Sequence, residues 1–182
     1  PAKEQPRDRV LQHEEIRKVW IAMDKAPLLT GASFKLMLLT GQRGVEIRSM
    51  RWDDIDTKTN VWTIPAEVSK NGRANRLPLP RQALALLEEI RKVTGDYERV
   101  FPGQRQNDYL SYRATYASAL RRDSGVDFRP HDLRRTVATY MEDDLDIPRT
   151  IVDRVLNHVD SSVTGKHYSR GDKLVQTREA LQ

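Results

Sequence analysis

The stretch His-Asp-Leu-Arg-Arg-Thr, residues 131–136, carries the strongest local signal for both the fold and the chemistry of this chain. On a helix, His131 and Arg134 stand three positions apart and share one face. A histidine titrates near neutrality and can pass a proton, and an arginine offers a planar fork that matches phosphate oxygens. The pair therefore suits phosphate binding with proton transfer, although alone it is more typical of a helix N-terminus with a surface salt bridge. We expect Arg135 to pair with an acid.

A second signal is Thr-Gly-Gln-Arg-Gly-Val-Glu, residues 40–46. Its glycines let Arg43 project from a helix junction, close to backbone N–H groups that favour anions. Glu46, one turn on, is placed to orient Arg43. The alternative is an ordinary connection between two helices with an exposed Arg–Glu pair. A phosphate-binding P-loop is excluded, because no Gly-Lys-Ser/Thr follows at the required spacing.

A third signal lies in a hairpin turn, Ser-Lys-Asn-Gly-Arg, residues 69–73. A lysine on such a turn can reach into a site and donate a proton, which makes Lys70 a candidate. The alternative is a solvated basic turn. The positive charges of this hairpin are also suited to contacts with the phosphates of a nucleic-acid backbone, through Lys70, Arg73 and Arg76.

The last signal combines Leu-Asn-His, residues 156–158, with Val-Thr-Gly-Lys-His-Tyr-Ser-Arg, residues 163–170. His158 follows a helix and can hydrogen-bond a phosphate oxygen. Tyr168 lies in a short polar segment, so we expect its hydroxyl to be accessible. The alternative for Tyr168 is a half-buried aromatic.

The composition limits the classes of function. The formal net charge of +5, from 31 basic and 26 acidic residues, mildly favours a polyanionic partner. Cysteine is absent, which excludes disulfides and thiolate metal sites. No apolar run approaches a membrane span. His158 and His167 have no carboxylate at a familiar ligand spacing, so we expect neither metal nor cofactor.

Periodicity predicts a mainly α fold with one small antiparallel β-sheet (α+β). Residues 53–80 carry the sheet signal, with Val61-Trp62-Thr63-Ile64 alternating and a turn at Asn71-Gly72. Helical spacing recurs elsewhere: around residues 16–23, 34–39 with a stop at Gly41, 45–50, 83–90, 108–122, 133–141, 147–156 with Pro148 in its first turn, and 172–182 with Leu174, Val175 and Leu181 on one side.

Taken together, these segments resemble the catalytic domain of the tyrosine recombinases, the phage integrase family. The resemblance spans about residues 11–170 and covers four motifs in the family's order, including Trp-Asp-Asp-Ile-Asp at residues 52–56. The sequence of the last motif is most similar to that of integrases from phages and genomic islands. Asn157 departs from the more common glycine, and the adjacent His158 is retained.

The resemblance implies specific roles and no metal or ATP. Tyr168 would be the nucleophile that forms a 3′-phosphotyrosyl link, and Lys70 would protonate the departing 5′ oxygen. Arg43 and Arg134 would clamp the scissile phosphate, while His131 shuttles a proton and His158 supports the phosphate.

The implied partners are double-stranded DNA attachment sites, further copies of the chain in a tetrameric synaptic complex, and accessory DNA-bending proteins, in a bacterial host's cytoplasm and without a membrane. We expect residues 1–10 to be a linker from an N-terminal region, 11–170 the catalytic domain, and 171–182 a tail that docks on a neighbouring subunit.

Two alternatives stay open at this level. One is a DNA-binding module without catalytic activity, for which the excess of basic over acidic residues would be sufficient. The other is strand relaxation like that of a type IB topoisomerase, which reseals the same strand.

Overall fold

The computed structural model describes residues 8–103, 109–110, 114–158 and 174–182. Within these ranges the chain is mainly helical with one three-stranded sheet, as the sequence predicts. The helices are α1 (His13–Lys25), α2 (Leu28–Thr40), α3 (Gly44–Arg48), α4 (Arg81–Thr94), α5 (Ala114–Ser124), α6 (Pro130–Asp143), α7 (Arg149–Val155) and α8 (Leu174–Leu181). The strands are β1 (Ile55–Asp56), β2 (Val61–Ile64) and β3 (Asn75–Pro78).

Helix α2 lies at the centre of the helical core. It packs against α1, α3, α4 and α6, and its buried residues include Phe34, Leu36 and Met37. A helix that is apolar on nearly all sides is stable only when other elements surround it. The helix ends at Gly41, which adopts a left-handed conformation with φ of +67°, so the predicted stop is confirmed.

The sheet has the order β1-β2-β3 with antiparallel neighbours, and Trp62 of β2 lies opposite Leu77 of β3. The predicted strand at residues 61–64 is confirmed as β2, in which Val61, Trp62 and Ile64 are buried and Thr63 is exposed. Successive strand residues point to opposite faces. Burial of both Val61 and Trp62 therefore means that protein covers both faces of the sheet there.

Two predicted helix starts need correction. The helix expected from about residue 108 does not include Tyr109, which forms an isolated β-bridge with Pro102; the helix begins at Ala114. Pro148 lies just before α7 as its N-cap, not in the first turn. Proline lacks an N–H and disfavours helical geometry in the residue before it, so α7 begins at Arg149 and not at Ile147.

The C-terminal helix α8 packs on β3 and α7 of its own chain. Thr177 is buried and Arg178 donates a 2.8 Å hydrogen bond to the carbonyl oxygen of Thr59. Of the three apolar residues predicted to share one side of this helix, Leu174 and Leu181 are partly buried, whereas the side chain of Val175 is 69% exposed. None of the helices in the described ranges has the length and apolarity needed to cross a membrane.

Candidate active site

Arg134 connects three elements at one point. From the second turn of α6, its guanidinium donates to the carbonyl oxygen of Gly41 at 2.7 Å and to that of Leu156. These carbonyls follow the C-termini of α2 and α7, where a cation is favoured by the helix dipole. Arg134 is only 3% exposed. Burial, with Arg43 acting in the same direction and Glu46 opposing, lowers the pKa of Arg134 to about 10, so it stays cationic at neutral pH.

Arg43 is held by the residue one helical turn later. Its Nη1 lies 2.8 Å from Oε1 of Glu46, and its backbone N–H donates to Oε2 at 2.8 Å. Glu46 is fully buried while the Arg43 side chain keeps 19% of its surface exposed. The predicted orientation of Arg43 by Glu46 is therefore seen, and the alternative of an exposed Arg–Glu pair is wrong.

His131 stands at the second position of α6, next to Pro130 and on the same side as Arg134. Desolvation and the positive charges of Arg134, Arg135 and Arg43 lower its pKa below the ordinary value, against the opposing charge of Asp132. At neutral pH the imidazole is therefore predominantly neutral and able to accept a proton.

The expected salt bridge of this motif belongs to Arg135. It pairs with Asp8 at 3.3 Å and with Asp132 at 3.6 Å, as predicted. Asp132 is itself buried and caps α6 by accepting the backbone N–H of Arg129 at 2.8 Å. The two adjacent arginines thus differ: Arg135 is paired with carboxylates, whereas Arg134 donates to backbone carbonyls.

His158 does have a carboxylate partner, contrary to the expectation from spacing. Its Nδ1 lies 3.1 Å from Oδ1 of Asp153, and its backbone N–H donates to the carbonyl oxygen of Asp153 at 2.7 Å. The five-residue separation arises because α7 ends in a tight turn. Desolvation lowers the pKa of His158, Asp153 raises it, and Arg134 and Arg43 lower it; the net direction is down. The contact with Asp153 leaves Nε2 available for a ligand.

Two adjoining clefts are bordered by four of these side chains, namely Arg43, His131, Arg134 and His158. One cleft, of about 530 Å³, is lined by His131, Arg134 and His158 among others. The other, of about 260 Å³, is lined by Arg43, His131 and Arg134. His131 and Arg134 form the common wall. The fold thus gathers four side chains from three separate sequence segments around one region of positive charge, which suits a phosphodiester anion.

The hairpin residues are placed differently. Lys70, Arg73 and Arg76 are exposed, and none of them lines either cleft. The loop that carries Lys70 is nevertheless fixed to the residue before His158, because the Asn71 side-chain amide donates to the carbonyl oxygen of Asn157 at 2.8 Å. Tyr168 lies outside the described residues, as does His167.

Comparison with known proteins identifies the family. The sequence model of the phage integrase family matches residues 9–174, which is most of the chain. The chain belongs to the phage integrase family. It is 32% identical over 154 residues to the prophage integrase IntA of Escherichia coli K12, covering 84% of this chain and 37% of that protein. The integrase of Enterobacteria phage P4 is 33% identical over 113 residues, or 56% of this chain and 26% of that protein.

Solved integrases show the same fold. The catalytic core of lambda integrase superposes with a TM-score of 0.63 at 25% identity, covering 84% of this chain and 96% of that core. A lambda integrase tetramer bound to a Holliday junction gives a TM-score of 0.67 at 25% identity, over 89% of this chain and 50% of that chain. The chain therefore has the fold of the family's catalytic domain and spans less than half of the curated relatives named above.

Two supporting residues of the site, Asp153 and Gln42, were not predicted from the sequence. Asp153 went unrecognised because its distance from His158 fits no regular helical spacing. Gln42 is fully buried, and its amide donates to the carbonyl oxygens of Thr40 at 2.8 Å and Val155 at 2.7 Å. It ties the ends of α2 and α7 together beside Arg134. In the sequence, the one signal for this role is that Gln42 directly precedes Arg43.

A metal centre finds no support in the part of the chain that is described. There, no three His, Cys, Asp or Glu side chains form a group that could hold a metal ion. His13 instead contacts the ring of Tyr140 and lies 3.6 Å from Asp144.

Proposed function

We propose that this chain is the catalytic domain of a site-specific DNA recombinase that integrates or excises a mobile element through a covalent 3′-phosphotyrosyl intermediate. The observation that carries the proposal is the convergence of Arg43, His131, Arg134 and His158 on adjoining clefts. Membership of the phage integrase family supports it, as does the solved tetramer of lambda integrase on a Holliday junction.

The cleft supplies what the first step requires. Arg43 and Arg134 would bind the two non-bridging oxygens of the scissile phosphate and stabilise the charge that builds up there. The negative charge of the phosphate would also relieve the repulsion between the two guanidinium groups. His158, with Nδ1 held by Asp153, would contact the phosphate through Nε2 as an imidazolium, because a neutral ring with its proton on Nδ1 has no proton on Nε2.

The proton transfers follow from the same arrangement. The phenol of Tyr168 would attack phosphorus while its proton passes to the neutral imidazole of His131. The bond from phosphorus to the 5′ oxygen would break, and Lys70 would protonate that oxygen. In the second step, a 5′ hydroxyl of another strand would attack phosphorus and pass its proton to the neutral amine of Lys70, while the bond from phosphorus to the phenolate breaks and the phenolate recovers its proton from His131. The bond count is unchanged, so neither step needs ATP.

A nicked suicide substrate tests this proposal. Cleavage near the nick releases a short oligonucleotide, which prevents rejoining and traps the covalent complex. We expect the protein to form a complex that Tyr168→Phe abolishes. Tyr97→Phe is the matched control, because it removes the hydroxyl of a 57% exposed tyrosine that lines neither cleft, and we expect it to leave trapping unchanged. Trapping by the Tyr168→Phe protein would show that the nucleophile is another residue.

Two further assays separate the competing functions. A recombinase forms a junction between two duplexes, whereas a topoisomerase-like enzyme relaxes a supercoiled plasmid without one. A DNA-binding module gives no covalent product, and Arg134→Ala would reduce only its affinity and the salt dependence of binding.

The partners that this function implies are attachment-site DNA, three further copies of the chain, and accessory DNA-bending proteins in the host cytoplasm. Arg73 and Arg76 are exposed and suit contacts to the DNA backbone. Residues 171–182 would dock on a neighbouring subunit, although residues 174–182 pack on their own chain here, so docking would require an exchange of α8. Deletion of residues 171–182 should weaken cooperative assembly on DNA, and unchanged assembly would count against this role.

A further inference from the structure

The loop between β2 and β3 is fastened at its tip to the end of α7. It spans residues 65–74, and its exposed Lys70 lies between two residues that take part in the fastening, Ser69 and Asn71. The Asn157 side-chain amide donates to Oγ of Ser69 at 2.9 Å and to the carbonyl oxygen of Arg73 at 3.2 Å. Asn157 therefore holds the chain on both sides of Lys70.

A reciprocal set of hydrogen bonds runs in the other direction. The side-chain amide of Asn71 donates to the carbonyl oxygen of Asn157 at 2.8 Å and to its Oδ1 at 3.1 Å. Within the loop, Oγ of Ser69 and the backbone N–H of Arg73 both donate to Oδ1 of Asn71, at 2.8 Å and 3.0 Å. Ser69 is buried. Because hydrogen bonds in such a network strengthen one another, loss of one member weakens the bonds that remain.

The backbone of Asn157 explains why this residue can reach the loop. Its φ of +52° lies in the left-handed region, which asparagine tolerates better than most residues. Glycine would fit that conformation equally well but has no side chain to donate hydrogen bonds. The fastening by the side chain is thus a property of this chain's own asparagine.

The residues immediately before and after Asn157 in the sequence both contact groups of the cleft. The carbonyl oxygen of Leu156 accepts from Arg134, and His158 carries the imidazole held by Asp153. Three consecutive residues therefore link the arginine, the hairpin and the second histidine.

We propose that Asn157 is a positioning residue that holds the hairpin tip beside the cleft, so that Lys70 protonates the departing 5′ oxygen without first having to order its loop. This inference rests on the proposed function for the role of Lys70. Whether Asn157 holds the hairpin does not depend on the proposed function, and it can be measured without DNA.

The decisive variant is Asn157→Gly. It keeps the left-handed backbone and removes every hydrogen bond that the Asn157 side chain makes with the loop, while the backbone carbonyl oxygen of residue 157 can still accept from Asn71. Hydrogen exchange of the free protein should show faster exchange of the amides of residues 69–73 and unchanged exchange in α4. Asn71→Ala, which removes the reciprocal donor, should act in the same direction. Unchanged exchange in both variants would overturn the docking.

Cleavage kinetics test the link to Lys70. We expect Asn157→Gly to leave the dissociation constant for DNA unchanged and to slow cleavage by roughly tenfold, because misplacement of a catalytic group reduces the rate rather than the affinity. A substrate with sulfur in place of the bridging 5′ oxygen expels a thiolate, which needs no acid because thiols have a pKa of about 8.5. On this substrate, Asn157→Gly and Lys70→Ala should both cleave at close to the wild-type rate.

The outcomes distinguish the two proposals. Equal slowing of Asn157→Gly on the oxygen and sulfur substrates would overturn the link to Lys70, since the defect would then lie in phosphate binding. Failure of the wild-type protein to cleave either substrate would overturn the proposed function itself. The exchange measurement would still decide whether Asn157 holds the hairpin.

Discussion

Arg134 donates a 2.7 Å hydrogen bond to the carbonyl oxygen of Gly41, a residue 93 positions earlier in the chain. This bond places a buried cation at the end of α2, two residues before Arg43. The same guanidinium also binds the carbonyl oxygen of Leu156. One side chain thus serves the packing of three helices and the charge of the cleft.

Replacement of Arg134 should therefore affect both stability and chemistry. Lysine cannot reproduce the planar fork, so Arg134→Lys should lower the free energy of unfolding by about 1–3 kcal/mol. It should slow covalent trapping on the order of 10²–10³-fold. Urea denaturation and the suicide substrate measure the two effects. Arg135→Lys is the control, because its partly exposed ion pairs contribute little, about 1 kcal/mol or less. A similar loss in both variants would contradict the structural role of Arg134.

Gly41→Ala should destabilise the protein more than Gly125→Ala. Both glycines have φ of +67°, so the backbone penalty for alanine is matched at about 1–2 kcal/mol. A Cβ at Gly41 would lie 2.9 Å from Cδ2 of Leu156 and 3.2 Å from Cγ1 of Val137, whereas one at Gly125 would meet open space. We expect an additional loss of about 1–3 kcal/mol at Gly41 from this overpacking. Equal unfolding free energies in thermal or urea denaturation would contradict the packing argument.

The stability of the free protein should rise with pH in the range where its histidines titrate. The pKa of His131 and that of His158 are both lowered in the folded state. Below the unfolded value of about 6.5, the unfolded chain therefore binds more protons than the folded one, and acidification favours unfolding. The free energy of unfolding should level off above that pH.

Urea denaturation in a buffer free of phosphate and sulfate measures this dependence, since such anions would occupy the cleft. The double variant His131→Gln/His158→Gln should show a weaker slope. His13→Gln is the control, because His13 lies apart from both clefts. If the unfolding free energy of the double variant depends on pH as strongly as that of the wild type, other groups cause the dependence.

Asp153→Asn should lower the pKa of His158 further. Asp153 is the group that raises this pKa, whereas desolvation, Arg134 and Arg43 lower it. Titration of the His158 ring protons by NMR gives the value directly. Asp144→Asn is the matched control, since Asp144 lies near His13 and not near His158. An unchanged pKa in Asp153→Asn would mean that the carboxylate contact does not persist in solution. In the cleavage reaction, the same variant should act most strongly at neutral pH, where His158 needs the carboxylate to become an imidazolium.

Local sequence was sufficient for the residues whose roles depend on one helical turn. Arg43 and Glu46 are three positions apart across a helix start, and the structure shows them bonded. His131 and Arg134 share a face of α6 for the same reason. Gly41 ends α2 because only a residue tolerant of positive φ fits there.

Local sequence was not sufficient where a contact joins distant segments. The bond of Asp153 with His158 depends on how α7 ends, and the network between Asn157 and the hairpin joins residues 84–88 positions apart. The exposed side chain of Val175 is a similar case, since the face that α8 buries depends on β3 and α7. Periodicity identifies an apolar face but does not identify its partner.

The sequence by itself determined the fold class and the family, and it supplied the side chains that we propose bind phosphate, because helix periodicity and short motifs are set by neighbours within a few residues. Only the tertiary structure decided that Arg134 is buried against two helix ends, that Asp153 holds His158, and that Asn157 fastens the hairpin. These contacts form when α2, α6, α7 and the hairpin pack together. Their geometry follows from packing in three dimensions, which no spacing along the chain encodes.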